Sequence, residues 1–390
     1  MKTIKDLNIE NKKVIIRCDF NVPLKDGKIV DDTRIVGSLQ TINYCLDKNA
    51  KVILLSHLGR VKEEADLAKN DLAPVAVRLE ELLGRKVTFK NKTRGEELEE
   101  AVANMNDGDV ILVQNTRYED LDGKKESKND EELGKYWASL ADFFINDALG
   151  TIHRAHASNV GIASNIPSAF GFLIEKELTA LSALDNPEKP FVVVLGGAKV
   201  ADKIGVIDNL VTKADKIMIG GGMAFTFLKA EGYEIGTSLL DSENIEFCTK
   251  VLKEYGDKIV LPVDVAVTTE YSNEEEYKVR DITEIEYNEM GLDIGPKSKE
   301  LFANYLKDAA TVIWNGPLGV YEFDKYKKHT DELLQFLVDN NIKTILGGGD
   351  IVAAASAANL KDKVYHASTG GGATLEYLEG KTLPGIEAIK

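Results

Sequence analysis

The stretch FVVVLGGAKVADKIG, residues 191–205, passes from a run of buried-type residues through two glycines, an alanine and a lysine into a helical pattern. A strand that empties through glycines into a helix leaves backbone N–H groups aimed at one spot, with the positive end of the helix dipole behind them. Anions collect at such turns. The spacing is not that of a P-loop, G-x-x-x-x-G-K-[ST], and no run of that form occurs in the chain. Lys199 therefore needs another explanation.

The same grammar repeats outward from this stretch. Short Val/Ile/Leu-rich runs alternate with helix-length amphipathic segments, the pattern of helices packed on a mostly parallel sheet. The runs are KVIIRCD (13–19), KVILLSH (51–57), DVILVQN (109–115), DFFINDA (142–148), FVVVLGG (191–197), KIMIGGG (216–222), KIVLPVD (258–264), TVIWNGP (311–317), KTILGGG (343–349) and KVYHAST (363–369). Between the fourth and fifth lies PSAFGFLIEKELTALSALDNPEKP (167–190), which has no strand-like run and predicts a long helix closed by a Pro-bounded turn. It divides the strands four and six.

A length of 390 residues favours two domains, with three as the outer limit. The 44% hydrophobic and 29% charged content is that of a globular protein, and no apolar run approaches the roughly 20 residues of a membrane helix. MKTIKDLNIENKK has no apolar stretch after its lysines, so a cytoplasmic location is expected. Cys18, Cys45 and Cys248 are widely spaced and read as reduced thiols without a catalytic role. A net charge of −16 argues against a nucleic-acid partner. Any arginines that gather despite it point to a small anion. The acidic stretches 63–74 and 271–284 read as solvated surface.

In open α/β sheets ligands bind outside the carboxyl ends of the strands. The two halves place different chemistry there. In the first half these ends carry Asp19 and Asn21, His57 and Arg60, Arg117, and Arg154 within GTIHRAH, with Arg34 shortly after the first strand; His153 and His156 lie in the same cluster. Arginine's planar fork pairs bidentately with carboxylate or phosphate, which suits a small phosphorylated acid. In the second half the strand ends carry glycines: Gly196-Gly197, Gly220 to Gly222, Gly316, Gly347 to Gly349 and Gly370 to Gly372. None fits the dinucleotide fingerprint G-x-G-x-x-G/A, which disfavours a dehydrogenase. Lys199 and Lys203 lie four apart, as if on one helix face, and Asp350 follows LGGG. Lysine for a transferring phosphate and a carboxylate for Mg²⁺ are what phosphoryl transfer from a nucleotide requires. A helix N-cap is the simpler role for Asp350. Glu322, near the rigid turn of WNGPLGVYEF, could hold ribose hydroxyls.

Taken together, RCDFNVPL, SHLGR, NTRYEDLDGKKESKND, INDALGTIHRAHAS, LGGAKVADKI, IGGGMAFTFL, LPVD, IWNGPLGVYEF, LGGGD and STGGGATLEYLEGKTLPGI resemble the phosphoglycerate kinase family, in family order along essentially the whole chain. The resemblance implies two doubly wound, Rossmann-like parallel-sheet α/β domains joined by a helical hinge. Their expected extents are 1–168 for 3-phosphoglycerate, 169–185 for the joining helix and 186–377 for the nucleotide, with 378–390 returning to the first domain. It implies a glycerate site of Asp19, Asn21, Arg34, His57, Arg60, Arg117 and Arg154. The implied nucleotide site is Gly197, Lys203, Gly291, Asn315, Pro317, Glu322, Gly348, Gly349, Asp350 and Ile351, with Mg²⁺ held through Asp350. Arg34 and Lys199 would clamp the phosphoryl in flight, with Gly348 and Gly371 as main-chain donors. The partners implied are 3-phosphoglycerate and ATP, the enzyme being a monomer without nucleic acid or membrane. Ile351 departs from the Thr or Ser usual after GGGD, Val61 replaces a common Pro, and QNTRY replaces ENLRF. A non-catalytic binding protein that closes on a phosphorylated ligand is the rival, and it leaves Lys199, Lys203 and Asp350 without a role.

Overall fold

The computed structural model describes residues 1–274 and 276–389. The chain divides into two compact units, Met1–Leu178 with the segment that starts at Thr382, and Thr179–Lys381.

In the first unit the strands are β1 (Lys13–Arg17), β2 (Leu24–Lys25), β3 (Lys28–Ile29), β4 (Lys51–Leu55), β5 (Val87–Lys90), β6 (Val110–Val113), β7 (Phe143–Asn146) and β8 (Ser168–Phe170). Six form one parallel sheet, ordered β5-β6-β4-β1-β7-β8, while β2 and β3 pair as a small antiparallel ribbon. The central strands are apolar on both faces, so helices cover both. Ile16, Leu54, Val52 and Ile145 pack with Ile35, Ile42, Val75 and Leu79 on one face. Ile15, Ile53, Ile111 and Phe144 pack with Trp137, Leu133 and Leu98 on the other.

The second unit holds β9 (Phe191–Leu195), β10 (Lys216–Ile219), β11 (Ile259–Val260), β12 (Asp264–Thr268), β13 (Lys278–Asp281), β14 (Met290–Ile294), β15 (Thr311–Asn315), β16 (Thr344–Leu346) and β17 (His366–Ala367). A second six-stranded parallel sheet runs β11-β10-β9-β15-β16-β17, and a three-stranded antiparallel sheet runs β13-β12-β14. In both large sheets the winding reverses beside the first strand, at β1/β7 and at β9/β15, which opens the crevice where ligands bind in such folds.

All ten runs read from the sequence carry strands, and the structure adds others. Ser168–Phe170 is a strand where no strand-like run was expected. It is a three-residue edge strand of small and aromatic residues, fixed by register to β7 and by a bridge from Thr3 to Phe170, so tertiary pairing supplies what its composition lacks. The helix expected over 169–185 is consequently shorter, Phe172–Ser182, and the boundary between units falls inside it. The acidic stretch 271–284 carries strand β13, in which Lys278 and Val279 are exposed and Arg280 and Asp281 half-buried; Glu275 within the stretch lies outside the described residues. The returning tail begins at Thr382 rather than 378, because Leu378 ends the helix Gly372–Leu378 and is buried with Ile313 and Ile345 of the second unit. Gly385 N–H then donates to the Ile152 carbonyl, tying the tail to the first unit; Lys390 lies outside the described residues.

Candidate active site

At the carboxyl edge of the first sheet, four adjacent strands, β6, β4, β1 and β7, each release a loop bearing cationic or imidazole groups. Arg34 Nη1 donates to Asp19 Oδ2 at 2.7 Å, and Asp19 Oδ1 accepts from the Asn21 N–H at 3.1 Å. Asn21 Oδ1 in turn accepts from the Gly59 N–H at 2.8 Å, and Arg117 Nη1 donates to the Gly59 carbonyl at 3.2 Å. A Cβ at Gly150, after β7, would lie 2.6 Å from Asp19 Oδ2, so that loop closes directly on the Asp19–Arg34 pair. Asn115 places Arg117 by accepting its backbone N–H at 3.0 Å. The Arg117 side chain is buried, yet its Nε has no hydrogen-bond partner among the described residues. Burial, and then neighbouring Arg154, lower its pKa from the usual value. Arg154 is exposed and its Nε donates to His153 Nε2 at 3.2 Å.

The two buried histidines of the cluster are held neutral. Desolvation, followed by Arg17, Arg117, His156 and Arg34, pushes His57 well below its ordinary pKa. Desolvation and then Arg17, Arg117 and Arg154 take His156 down to about 3. These mutual influences join Arg34, His57, Arg117 and Arg154 into one positive field. Arg60 is exposed, and its carbonyl accepts from Asn70 Nδ2 at 3.1 Å; among the described residues its side chain makes no link to the others. Sequence reasoning missed Arg17, Glu126 and Ser158, all buried below this cluster. The signal was an arginine inside the apolar run KVIIRCD: a charge at a core position requires a buried partner.

The second sheet presents main-chain groups instead. Asn315, at the end of β15, is the organiser: its carbonyl accepts from Gly196 N–H at 2.9 Å, its Nδ2 donates to the Gly347 carbonyl, and its Oδ1 accepts from Lys203 Nζ. The Pro317 carbonyl accepts from Gly197 N–H at 3.1 Å, so the turns after β9 and β15 interlock at the point where the winding reverses. A Cβ at Gly196 would run into the Pro317 carbonyl, which is why that position is glycine. Gly348 (φ 122°) stands at the N-cap of the helix Gly349–Ala357 and has no side-chain cap, leaving first-turn N–H groups open at the positive helix end. Gly371 (φ 52°) holds the equivalent position before Gly372–Leu378.

Lys199 and Lys203 do not share one helix face as their spacing predicts. Residues Val200–Lys203 form a 3₁₀ turn, and the α-helix starts only at Ile204, so the two lysines separate. Lys203 tucks against Asn315, its pKa lowered by desolvation while Asp202, Asp350 and Glu379 oppose that shift. Lys199 is exposed and its side chain pairs with nothing among the described residues. Asp350 is not an N-cap: Gly348 takes that role, and Asp350 sits exposed in the first turn. Ile351 is fully buried among Val192, Trp314 and Leu346, so only its backbone can face a ligand. Gly291 lies in β14, its N–H donating to Ser238 Oγ at 2.9 Å, with the Phe225 ring occupying the space of a side chain. Glu322 is exposed beyond the Pro317 turn.

The donor set fits Mg²⁺ of a particular kind. No group of three or more His, Cys, Asp or Glu side chains able to cage a metal occurs among the described residues. A lone exposed carboxylate beside open N–H groups suits an ion that arrives on nucleotide phosphates and keeps most of its waters.

A family model described as phosphoglycerate kinase matches residues 4–381. A protein named phosphoglycerate kinase from Enterococcus faecalis is 57% identical over 391 residues, covering 100% of this chain and 98% of its own. One of the same name from Lacticaseibacillus casei is 59% identical over 389 residues, with 99% and 98% covered. The solved phosphoglycerate kinase of Coxiella burnetii superposes with a TM-score of 0.92 at 40% identity, covering 99% of this chain and 98% of that one. The corresponding structure from Pyrococcus horikoshii gives 0.83 at 31%, with 100% and 98% covered. With the family model matched over residues 4–381 and relatives and solved structures alike over nearly the full length, the chain belongs to the phosphoglycerate kinase family.

Proposed function

We propose that the chain carries out its family's reaction, reversible phosphoryl transfer from 1,3-bisphosphoglycerate to ADP giving 3-phosphoglycerate and ATP, with one substrate on each unit. The observation that carries this division is the opposite chemistry of the two sheet edges. The arginine and histidine edge after β1, β4, β6 and β7 suits a three-carbon acid bearing phosphate. The glycine turns after β9, β15 and β16 suit a nucleotide polyphosphate.

In the direction of ATP consumption the nucleophile is a carboxylate, already an anion, so no general base is required. What the residues must do is align the reactants and cancel charge on the transferring group. Asp19, Asn21, Arg60, Arg117, Arg154 and His57 hold the acid; Arg34 from the first unit and Lys199 from the second meet on the phosphoryl. The open N–H groups at Gly348, Gly349 and Ile351, with Gly371, receive the phosphates. Gly197, Gly291, Asn315, Pro317, Glu322 and Lys203 shape the nucleotide site. Asp350 would hold Mg²⁺, which when bound neutralises phosphate charge.

Each unit has its own sheet and core, and the boundary falls within Phe172–Ser182, so closure about this helix brings the substrates together and excludes water that would hydrolyse the acyl phosphate. The enzyme works as a cytoplasmic monomer without nucleic acid or membrane; no helix among the described residues is long and apolar enough to cross a bilayer. The test is ATP consumption with 3-phosphoglycerate and Mg²⁺, coupled to removal of the acyl phosphate. Turnover should require all three. Small-angle scattering should show a smaller radius of gyration with both substrates than with either alone, and an unchanged radius at saturation would remove closure from the reading.

A further inference from the structure

Below the arginine cluster runs a chain of buried polar groups, Glu126, Ser158 and Arg17, none of which is itself a proposed substrate contact. Glu126 and Arg17 are both fully buried, with Arg17 Nη2 3.9 Å from Glu126 Oε1. Taking two such charges out of water costs several kcal/mol per ion, and buried pairs of this kind rarely add net stability. Their use lies in what they hold.

Glu126 accepts from Ser158 twice, from its hydroxyl at 2.5 Å and its N–H at 2.9 Å. Ser158 Oγ accepts from Arg17 Nε at 2.8 Å. The guanidinium also donates to the Cys18 carbonyl at 2.5 Å, and Nη2 stands 3.3 Å from His57 Nδ1. A guanidinium only donates. Nδ1 of His57 is therefore the acceptor, and the single proton of the neutral ring sits on Nε2. That nitrogen bonds to nothing among the described residues. Burial and the surrounding arginines keep the ring neutral, so which nitrogen carries the proton decides whether an anion meets a donor or a lone pair.

We propose that Glu126 is a positioning residue for phosphoryl transfer: through Ser158 and Arg17 it fixes the proton of His57 on Nε2, so that the ring donates a hydrogen bond to the three-carbon acid. This rests on the reading of His57 as a contact of that acid. The glutamate anchors the arginine, the arginine occupies Nδ1, and the histidine is left with Nε2 as its single donor. The relay also explains why a serine hydroxyl, rather than an apolar group, is buried between the two charges.

The test uses the full-length enzyme labelled with ¹⁵N-histidine, with His57→Gln to assign the ring, alongside Glu126→Gln and Ser158→Ala. In the wild type without substrate, His57 should show a protonated Nε2 and an unprotonated Nδ1 between pH 6 and 8. In Glu126→Gln the two nitrogen shifts should move towards an averaged tautomer mixture. The dissociation constant for 3-phosphoglycerate should rise at least about tenfold, as expected when one charge-assisted hydrogen bond is lost, while that for ATP stays unchanged. Ser158→Ala, which keeps the ion pair but breaks the relay, should shift the spectrum in the same direction and serves if Glu126→Gln does not fold. A wild-type proton on Nδ1, or unchanged His57 shifts in both folded variants, overturns the relay. Shifted nitrogens with unaltered 3-phosphoglycerate affinity would leave the relay intact but remove His57 from the acid site, which overturns both the positioning role and the reading it rests on.

Discussion

Lys203 Nζ donates to Asn315 Oδ1, while the amide nitrogen of the same asparagine donates to the Gly347 carbonyl. One side chain thus binds a lysine to the turn that precedes Gly348, and the main-chain carbonyl of the same residue accepts from the Gly196 N–H at 2.9 Å. The consequence is a division of labour between two lysines that look equivalent in the sequence. Lys203 is structural to the glycine turns, whereas Lys199 is exposed and, on the proposed reading, is the one to meet the transferring group.

Substitution should separate them. Lys199→Ala is expected to lower kcat by roughly a hundredfold or more, about 3 kcal/mol, the range for removing a donor that stabilises transition-state charge. Its Tm and its nucleotide affinity should stay near wild type. Lys203→Ala should instead raise the KM for ATP, because Asn315 loses the cation that orients it, and should cost stability. Steady-state kinetics with thermal melts decides the matter: a kcat for Lys199→Ala within threefold of wild type removes that lysine from the mechanism.

Gly348→Ala probes the turn itself. At φ 122° an alanine is strained, and its Cβ would lie 2.8 Å from Asn315 Nδ2. The strain alone costs about 1–3 kcal/mol, and the displaced asparagine loosens both Lys203 and Gly347. Nucleotide KM should rise at least about tenfold, since 1.4 kcal/mol is a factor of ten, with the KM for 3-phosphoglycerate little changed. Equal losses for both substrates would mean that the turn acts through global folding rather than through the phosphates.

The sheet edges were legible in the sequence because strands buried on both faces are continuous apolar runs, and the residues after each run lie at the edge where ligands bind in such folds. Thus Arg117, His57, Asn315 and Gly348 stand where their runs end. What escaped was set by tertiary pairing. The strand Ser168–Phe170 has no composition signal and exists through β7 and Thr3. Lys199 and Lys203 parted because a 3₁₀ turn replaced the expected first helical turn. Glu126, in the lysine-rich stretch GKKESKND with no apolar pattern to signal it, is nevertheless fully buried, paired with Arg17 from a distant strand.

Two buried groups of the first unit should give stability opposite pH dependences. Desolvation raises Asp147 to about 6 from 3.8, although it accepts from the N–H groups of Leu173 and Ile174 at 3.0 and 3.3 Å. The folded chain then holds this proton more tightly than the unfolded one, so its contribution is full below 3.8 and is lost as pH rises through about 6. His156, lowered from 6.5 to about 3, contributes above 6.5 and loses that contribution as pH falls towards 3. In thermal melts across this range, Asp147→Asn should gain on wild type as pH rises, and His156→Gln should gain on it as pH falls. Tm curves parallel to wild type in either variant would show that the group does not titrate differently on folding.

Arg34 offers the cleanest separation of stability from catalysis. Its pair with Asp19 is short, 2.7 Å, but the arginine side chain is 48% exposed, and exposed pairs contribute at most about 1 kcal/mol. Arg34→Ala should therefore leave the folded state within about 1 kcal/mol of wild type. If the guanidinium meets the transferring phosphoryl, kcat should nevertheless fall about a hundredfold or more. Arg34→Lys should recover only part of it, because an ammonium keeps the charge and loses the planar fork that can hold Asp19 and a phosphoryl oxygen together. Full activity in the lysine variant would reduce Arg34 to a source of positive field, and full activity in the alanine variant would place the clamp on Lys199 alone. Denaturant unfolding measured beside kcat distinguishes these outcomes, since only the catalytic role predicts a large kinetic loss in a chain that unfolds at the wild-type midpoint.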